Sequence, residues 1–118
     1  MKITIEKSSN FKSKPEPDKL GFGKYLSDHM FMMNYSTDKG WFDPRIVPYQ
    51  PLSLDPAALV LHYNQEVFEG LKAYLLEKGG IGLFRPEKNI ERFNNSAERM
   101  CMPPVNPDIF MDGLKQLI

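Results

Sequence analysis

The fold is decided by residues 61–103, which read LHYNQEVFEGLKAYLLEKGGIGLFRPEKNIERFNNSAERMCMP. The composition predicts a strand over 68–76, a hairpin turn at 77–80 and a returning strand over 81–85. Pro86 then begins a helix with apolar residues at helical spacing. These residues are Ile90, Phe93, Ala97 and Met100 or Cys101. This order of elements can gather an arginine and two aromatic rings around one small anionic ligand.

The N-terminal half of the chain predicts less regular structure. Residues 1–20 are rich in Lys, Ser and Pro, which is typical of an extended or partly disordered arm. Residues 28–35 predict a buried strand that closes in a turn at 36–40. Three prolines in residues 41–51 indicate an edge strand or an irregular connection, because proline cannot donate to a sheet ladder.

Two further helices are indicated by their start signals. Asp55 and Pro56 predict an N-cap and first turn for a short helix over residues 57–63. Asn106 and Pro107 predict the start of a third helix. One face of that helix holds apolar residues at helical spacing. They are Phe110, Leu114, Leu117 and Ile118.

Composition excludes several classes of function. The 15 basic and 15 acidic residues cancel without forming blocks, which argues against a nucleic-acid partner. No apolar run approaches the roughly 20 residues that span a bilayer, and the N-terminus lacks the features of a secretory signal. The single cysteine, Cys101, rules out an internal disulfide and is expected to be a packed thiol, and no metal site is expected. The sequence therefore predicts a soluble, cytoplasmic protein.

Arg92 is the strongest candidate for ligand binding, because a guanidinium offers a planar fork of donors that matches carboxylate or phosphate oxygens. Helical spacing alone leaves a solvated or ion-paired surface arginine equally open. Tyr63 and Phe68 flank a helix-to-strand junction, where rings can line a pocket, although two core aromatics are favoured. Lys72 lies in the predicted strand. An imine-forming lysine needs burial or a nearby cation, and the pattern favours a solvent-facing or ion-paired strand lysine instead.

Together these residues resemble the branched-chain amino acid aminotransferases of the pyridoxal phosphate fold type IV group, continuously from about Leu20 to Ile118. The motifs that carry the resemblance are FG at 22–23, DHM at 28–30, KGW at 39–41, LSLDP at 52–56, LHY at 61–63, FEGLKAY at 68–74, LFRP at 83–86, and Arg92 with SA at 96–97. The DHM and KGW motifs look like the longer subgroup also found in eukaryotes, rather than the D-amino acid aminotransferases or aminodeoxychorismate lyases.

The resemblance implies an α+β fold, with a mainly antiparallel sheet flanked by helices, that forms part of the small domain of a two-domain enzyme. Residues 1–20 would be an N-terminal arm, and residues 21–118 the N-terminal portion of that domain. Arg92 matches the arginine that binds the phosphate of pyridoxal 5′-phosphate. The family positions that wall the pocket for a branched aliphatic side chain match Phe22, Tyr63 and Phe68. Each methylene buried in such a pocket contributes about 0.8 kcal/mol. A supporting position near the site matches Lys72.

By the same resemblance, the whole enzyme transfers the amino group between Leu, Ile or Val and 2-oxoglutarate, and assembles as a homodimer. The lysine that bonds covalently to the cofactor lies beyond position 118 in such enzymes. We therefore expect no catalytic residue in this chain, and neither activity nor tight cofactor binding from these 118 residues alone.

Two alternatives stay open on the sequence. The chain can be a stand-alone interaction module or a remnant of an enzyme, which the apolar, uncapped end of the last helix argues against. It can also belong to a sister enzyme that acts on D-amino acids or aminodeoxychorismate. An open reading frame downstream that encodes the missing lysine region excludes the first alternative, and turnover of leucine excludes the second.

Overall fold

The computed structural model describes the backbone of residues 1–118 and every side chain except that of Pro17. Helices combine with small, mainly antiparallel sheets, which confirms the predicted α+β class. The chain divides into two compact units, formed mainly by Met1–Pro51 and Leu52–Gln116. The assignment of residues 21–118 to the small domain of a larger enzyme stays a prediction.

The first unit is built on a three-stranded sheet of order β1-β3-β2. Its strands are β1 (Thr4–Ile5), β2 (His29–Ser36) and β3 (Gly40–Pro48), with a 3₁₀ turn at Pro17–Lys19. The predicted strand and turn at 28–40 are therefore confirmed, although the strand is half-buried and not buried as predicted. Strands β2 and β3 form an antiparallel hairpin, in which Gly40 adopts a φ of 68° that closes the turn.

The proline-rich segment forms the central strand of this sheet, so its prediction as an edge strand or irregular connection was wrong. A bulge explains the difference. Between Met32 and Asn34 the register shifts, so that Asp43 and Pro44 on β3 lie opposite the single residue Met33 on β2. Because the extra residue of a bulge makes no regular hydrogen bond to the neighbouring strand, the missing N–H of Pro44 is tolerated there.

The N-terminal segment is attached to this sheet by backbone bonds. Strand β1 runs parallel to β3, with Thr4 opposite Arg45 and Ile5 opposite Ile46. The backbone N–H of Ser8 donates to the His29 Nε2 over 2.9 Å, and that of Lys12 donates to the Asp28 Oδ1 over 2.9 Å. The segment thus supplies a strand that its composition did not indicate, and its assignment as an N-terminal arm stays a prediction.

The second unit contains α1 (Leu59–His62), β4 (Ala73–Leu75), β5 (Ile81–Leu83), α2 (Pro86–Arg99) and α3 (Pro107–Leu117). Strands β4 and β5 form the predicted hairpin, but each is shorter than expected. Helix α1 is also shorter, because Asp55 caps a preceding turn: its Oδ1 accepts from the Ala57 N–H over 2.7 Å. Residues 64–72 consequently form an irregular connection instead of the first half of a strand.

The core of the second unit lies on α2, α3 and the segment between them. Its buried apolar residues are Ile90 and Ala97 on α2, Val105, and Ile109 on α3. The Phe93 and Phe110 rings meet with centroids 5.7 Å apart. The predicted apolar face of α2 is confirmed. The buried face of α3 is centred on Ile109 and Gly113 instead of the predicted Leu114 and Leu117.

Cys101 ends helix α2 in a left-handed conformation with a φ of 55°. The Cys101 N–H donates to the Glu98 carbonyl over 3.0 Å, and the Met102 N–H donates to the Ala97 carbonyl over 2.8 Å. These two bonds form a Schellman motif. Glycine usually occupies the left-handed position of that motif, which is held here by Cys101. The thiol is exposed, so its prediction as a packed thiol was wrong.

Replacing Cys101 with glycine is expected to stabilise the protein by about 0.5–1 kcal/mol. Glycine relieves the strain of an L-residue in the left-handed conformation, and this gain exceeds the larger backbone entropy that glycine loses on folding. Urea unfolding measures the gain. Cys101→Ala is the matched control, since it removes the thiol but keeps the Cβ. An equal midpoint for the two variants would contradict this account of the helix end.

No helix in the described part of the chain is both long and apolar enough to cross a membrane.

Candidate functional site

The candidate site is organised by two polar residues on one face of α2. Asn89 and Arg92 are three positions apart, a spacing that places both side chains on the same side of a helix. Both reach Glu69 in the irregular connection over residues 64–72. The site therefore joins a helix to a segment that has no regular hydrogen-bond ladder of its own.

Arg92 and Glu69 form a two-pronged ion pair. The Arg92 Nε donates to the Glu69 Oε2 over 2.7 Å, and the Arg92 Nη2 donates to the Glu69 Oε1 over 2.5 Å. Two parallel bonds of this kind fix the orientation of the guanidinium as well as its position.

The Glu69 carboxylate also receives two neutral donors. The Asn89 Nδ2 and the Gly70 N–H each lie 2.9 Å from its Oε1. The Asn89 amide donates in addition to the Gly70 carbonyl over 3.0 Å, which ties the connection to α2 a second time. As a result, only 6% of the Glu69 side chain is exposed, although it lies between exposed neighbours.

These contacts keep Glu69 ionised. The hydrogen bond from Arg92, followed by that from Asn89, lowers the pKa of Glu69 from 4.5 to about 2. The same pair raises the pKa of Arg92 above its usual value, through the hydrogen bond to Glu69 and the charge of its carboxylate. The site therefore holds one fixed negative and one fixed positive charge at any physiological pH.

Because the pKa of Glu69 is depressed on folding, its contribution to stability is fully present above about pH 4.5 and is lost as the pH falls towards 2. The stability difference between the native protein and a Glu69→Gln variant should therefore shrink across that range. Urea unfolding at a series of pH values measures it. Glu66→Gln, which changes an exposed carboxylate nearby, is the control; a Glu69 difference independent of pH would contradict the assignment.

The pairing with Glu69 leaves one edge of the Arg92 guanidinium available. Its Nε and Nη2 face the carboxylate, whereas Nη1 and the second Nη2 hydrogen have no protein acceptor among the described residues. The Arg92 side chain is 67% exposed. One hydrogen on Nη1 and the second hydrogen on Nη2 point in the same direction and form the end-on edge of the guanidinium. An oxyanion such as a phosphate can accept from this end-on pair of hydrogens while the edge formed by Nε and Nη2 stays bonded to Glu69.

The predicted pocket residues are exposed. Phe22, in the first unit, is 96% exposed; Tyr63 and Phe68, in the second, are 78% and 86% exposed. In the part of the chain whose side chains are described, none of these rings packs on another aromatic ring. The role of the three rings as pocket walls stays a prediction, and the alternative that Tyr63 and Phe68 are core aromatics is wrong because both rings face solvent.

Lys72 lies in the irregular connection just before β4, not in the middle of a strand as predicted. Its side chain is exposed and has no hydrogen bond or ion pair to any residue the structure describes. Its supporting role also stays a prediction.

Two residues of the site were missed by the sequence reasoning, Glu69 and Asn89. The three-residue spacing of Asn89 and Arg92 is a signal for a shared helix face. No comparable signal connects Glu69 to them, because it lies 23 residues before Arg92 and no local periodicity spans that distance.

An apolar hollow lies elsewhere, on the β4–β5 hairpin. It has a volume of about 420 Å³ and is lined by Tyr74, Leu76, Gly82, Leu83 and Phe84. None of the predicted site residues lines it, so the chemistry of Arg92 and Glu69, not the shape of this hollow, defines the candidate site. Among the described side chains, no group of three or more His, Cys, Asp or Glu residues is placed to hold a metal ion.

No protein-family model matches the chain. Individual curated proteins do. The chain is 57% identical to Branched-chain-amino-acid aminotransferase 2 of Bacillus subtilis (strain 168), over 98% of the chain and 32% of that protein. It is 52% identical to Branched-chain-amino-acid transaminase 1 of the same organism, over 98% of the chain and 33% of that protein.

A more distant relative gives the same result. The chain is 50% identical to Branched-chain-amino-acid aminotransferase of Mycolicibacterium smegmatis (strain ATCC 700084 / mc(2)155), over 83% of the chain and 27% of that protein. The chain thus spans about a third, or somewhat less, of the length of these relatives. Over nearly its whole length, the chain is homologous to branched-chain amino acid aminotransferases.

Proposed function

We propose that this chain is part of an enzyme that transfers the amino group between Leu, Ile or Val and 2-oxoglutarate with pyridoxal 5′-phosphate as cofactor. The observation that carries the proposal is the 57% identity, over 98% of the chain, to a protein named as a branched-chain amino acid aminotransferase. Identity at this level over a continuous stretch is far more specific than any single motif.

The chemistry of the Arg92 site is consistent with the cofactor. The phosphate of pyridoxal phosphate is an anion, and the end-on edge of Arg92 presents two free donors and a positive charge to such a group. The pairing to Glu69 compensates part of that charge, so further donors from the rest of the enzyme would complete the phosphate site. When bound, the cofactor supplies the electron sink for the carbanion chemistry of amino transfer.

The three exposed rings suit the walls of a substrate pocket that other parts of the enzyme complete. Phe22, Tyr63 and Phe68 are each more than three quarters exposed, so their rings are free to contact a ligand. We propose that they contact the branched side chain of the substrate, that Lys72 supports the site, and that the whole protein is a cytoplasmic homodimer.

We assign no catalytic residue to these 118 residues. The lysine that bonds the cofactor is proposed to belong to the remaining two-thirds of the enzyme, by resemblance to the family. The chain by itself is then expected to show no transamination.

The proposal is tested with the full-length protein that carries this chain, purified and supplied with pyridoxal phosphate. Leucine and 2-oxoglutarate are expected to give glutamate and the 2-oxo acid of leucine, measured by coupled assay or mass spectrometry. The control is the same protein stripped of cofactor, which should be inactive until pyridoxal phosphate is restored. Turnover of D-alanine without turnover of leucine would overturn the substrate assignment, and no turnover of either would overturn the proposal as a whole.

A further inference from the structure

We propose that Glu69 is a positioning residue, which holds the Arg92 guanidinium so that its end-on edge meets the phosphate of the cofactor. This inference rests on the proposed function, and it assigns a role to a carboxylate to which the family resemblance assigned none. A negative charge beside a phosphate site calls for an explanation, because by itself it repels the ligand.

The geometry explains why the carboxylate is tolerated. A guanidinium has two edges that bind oxyanions well, one formed by Nε and Nη2 and one formed by both Nη nitrogens. Glu69 occupies the first edge with bonds of 2.7 and 2.5 Å. The second edge is thereby the one offered to a ligand, in a single orientation.

The carboxylate is itself fixed, which a positioning residue requires. Asn89 and the Gly70 N–H hold its Oε1, and only 6% of its side chain is exposed, compared with 67% of that of Arg92. Without Glu69, an arginine this exposed would sample several rotamers and would lose that freedom when the phosphate binds. Ordering it beforehand removes this entropy loss from the binding step.

Glu69 also ties the irregular connection to α2, so a purely structural role must be separated from a positioning role. Gln65 provides the matched control. Its Nε2 donates to the Met100 carbonyl over 3.0 Å, which ties the same connection to the far end of α2 without touching Arg92. Gln65→Ala loosens the connection and leaves the ion pair in place.

The experiment compares the full-length protein with four variants: Glu69→Gln, Gln65→Ala, Arg92→Ala and the Glu69→Gln/Arg92→Ala double variant. Cofactor-free protein is titrated with pyridoxal phosphate, and in parallel with pyridoxal, which lacks the phosphate. Glu69→Gln is expected to weaken pyridoxal phosphate binding about 10-fold and to leave pyridoxal binding unchanged. It should cause no further loss when Arg92 is already alanine, because the guanidinium that it positions is then absent and the substitution only removes an unpaired negative charge. Gln65→Ala should bind pyridoxal phosphate within about 2-fold of the native protein.

The outcomes separate this inference from the proposed function. If Arg92→Ala leaves pyridoxal phosphate affinity unchanged, the phosphate assignment fails, and the positioning role fails with it. If Arg92→Ala weakens binding but Glu69→Gln binds equally well or better, the positioning role alone is overturned, and Glu69 is a competitor of the phosphate. Equal losses for pyridoxal and its phosphate, or an equal loss in Gln65→Ala, would assign Glu69 a structural role only.

Circular dichroism first establishes that each variant is folded. If Glu69→Gln does not fold, Glu69→Asp replaces it, because a carboxylate shortened by one methylene keeps its charge but loses reach for the two-pronged pairing. The same 10-fold loss, confined to the phosphorylated ligand, is then expected.

Discussion

Replacing Arg92 with alanine in the full-length protein is expected to weaken the binding of pyridoxal phosphate about 100-fold. The change removes the end-on pair of hydrogens, and two charge-assisted hydrogen bonds to a phosphate account for a loss of this order. It also leaves the Glu69 carboxylate without its main partner, so that its charge lies unpaired near the phosphate. Equilibrium titration of cofactor-free protein, followed by absorbance, measures the affinity.

Two companion variants make this test specific. Arg99→Ala removes an exposed arginine from the last turn of the same helix and should leave the affinity within about 2-fold of the native value. Arg92→Lys keeps the charge but replaces a planar fork with a single ammonium nitrogen, which cannot form two-pronged pairs with Glu69 and a phosphate at the same time. We expect it to bind pyridoxal phosphate poorly, closer to the alanine variant than to the native protein. An unchanged affinity in Arg92→Ala would remove this residue from the cofactor site.

The second large effect is on stability, at Asn94. The Asn94 Nδ2 donates to the Val105 carbonyl over 2.8 Å, and the Val105 N–H donates to the Asn94 Oδ1 over 2.9 Å. The amide thereby satisfies both backbone groups of a residue that is only 9% exposed, in the segment between α2 and α3. Asn94→Ala leaves this donor and this acceptor without partners, at about 1–3 kcal/mol for each buried group.

We therefore expect Asn94→Ala to lower the free energy of unfolding by about 2–6 kcal/mol, less the few tenths of a kcal/mol that alanine gains in helix propensity. Urea unfolding measures the change. Asn95→Ala is the matched control: the neighbouring side chain is exposed, makes no hydrogen bond within the described part of the chain, and gains the same helix propensity on substitution. Equal midpoints for the two variants would show that the Asn94 bonds contribute nothing beyond propensity.

Local features of the chain were predictable because each depends on a few neighbouring residues. The starts of α2 at Pro86 and of α3 at Pro107 follow from proline in the first turn of each helix and, for α3, from the capping side chain of Asn106. The β4–β5 hairpin, and the turn that follows β2, follow from turn sequences next to apolar runs. The predictions were wrong where a distant partner decides: the bulge at Asp43 and Pro44 makes a proline-rich segment the central strand, because β1 and β2 pair with it on both sides.

By itself, the sequence determined the fold class, the starts of α2 and α3, the candidate arginine and the resemblance to branched-chain amino acid aminotransferases, since these depend on residue type and short spacing. Only the tertiary structure decided what Arg92 pairs with. Glu69 lies in an irregular connection 23 residues away, and its carboxylate reaches Arg92 and Asn89 because the fold brings that connection against one face of α2. Contacts of this kind are set by the path of the backbone, for which no periodicity along the chain provides a signal.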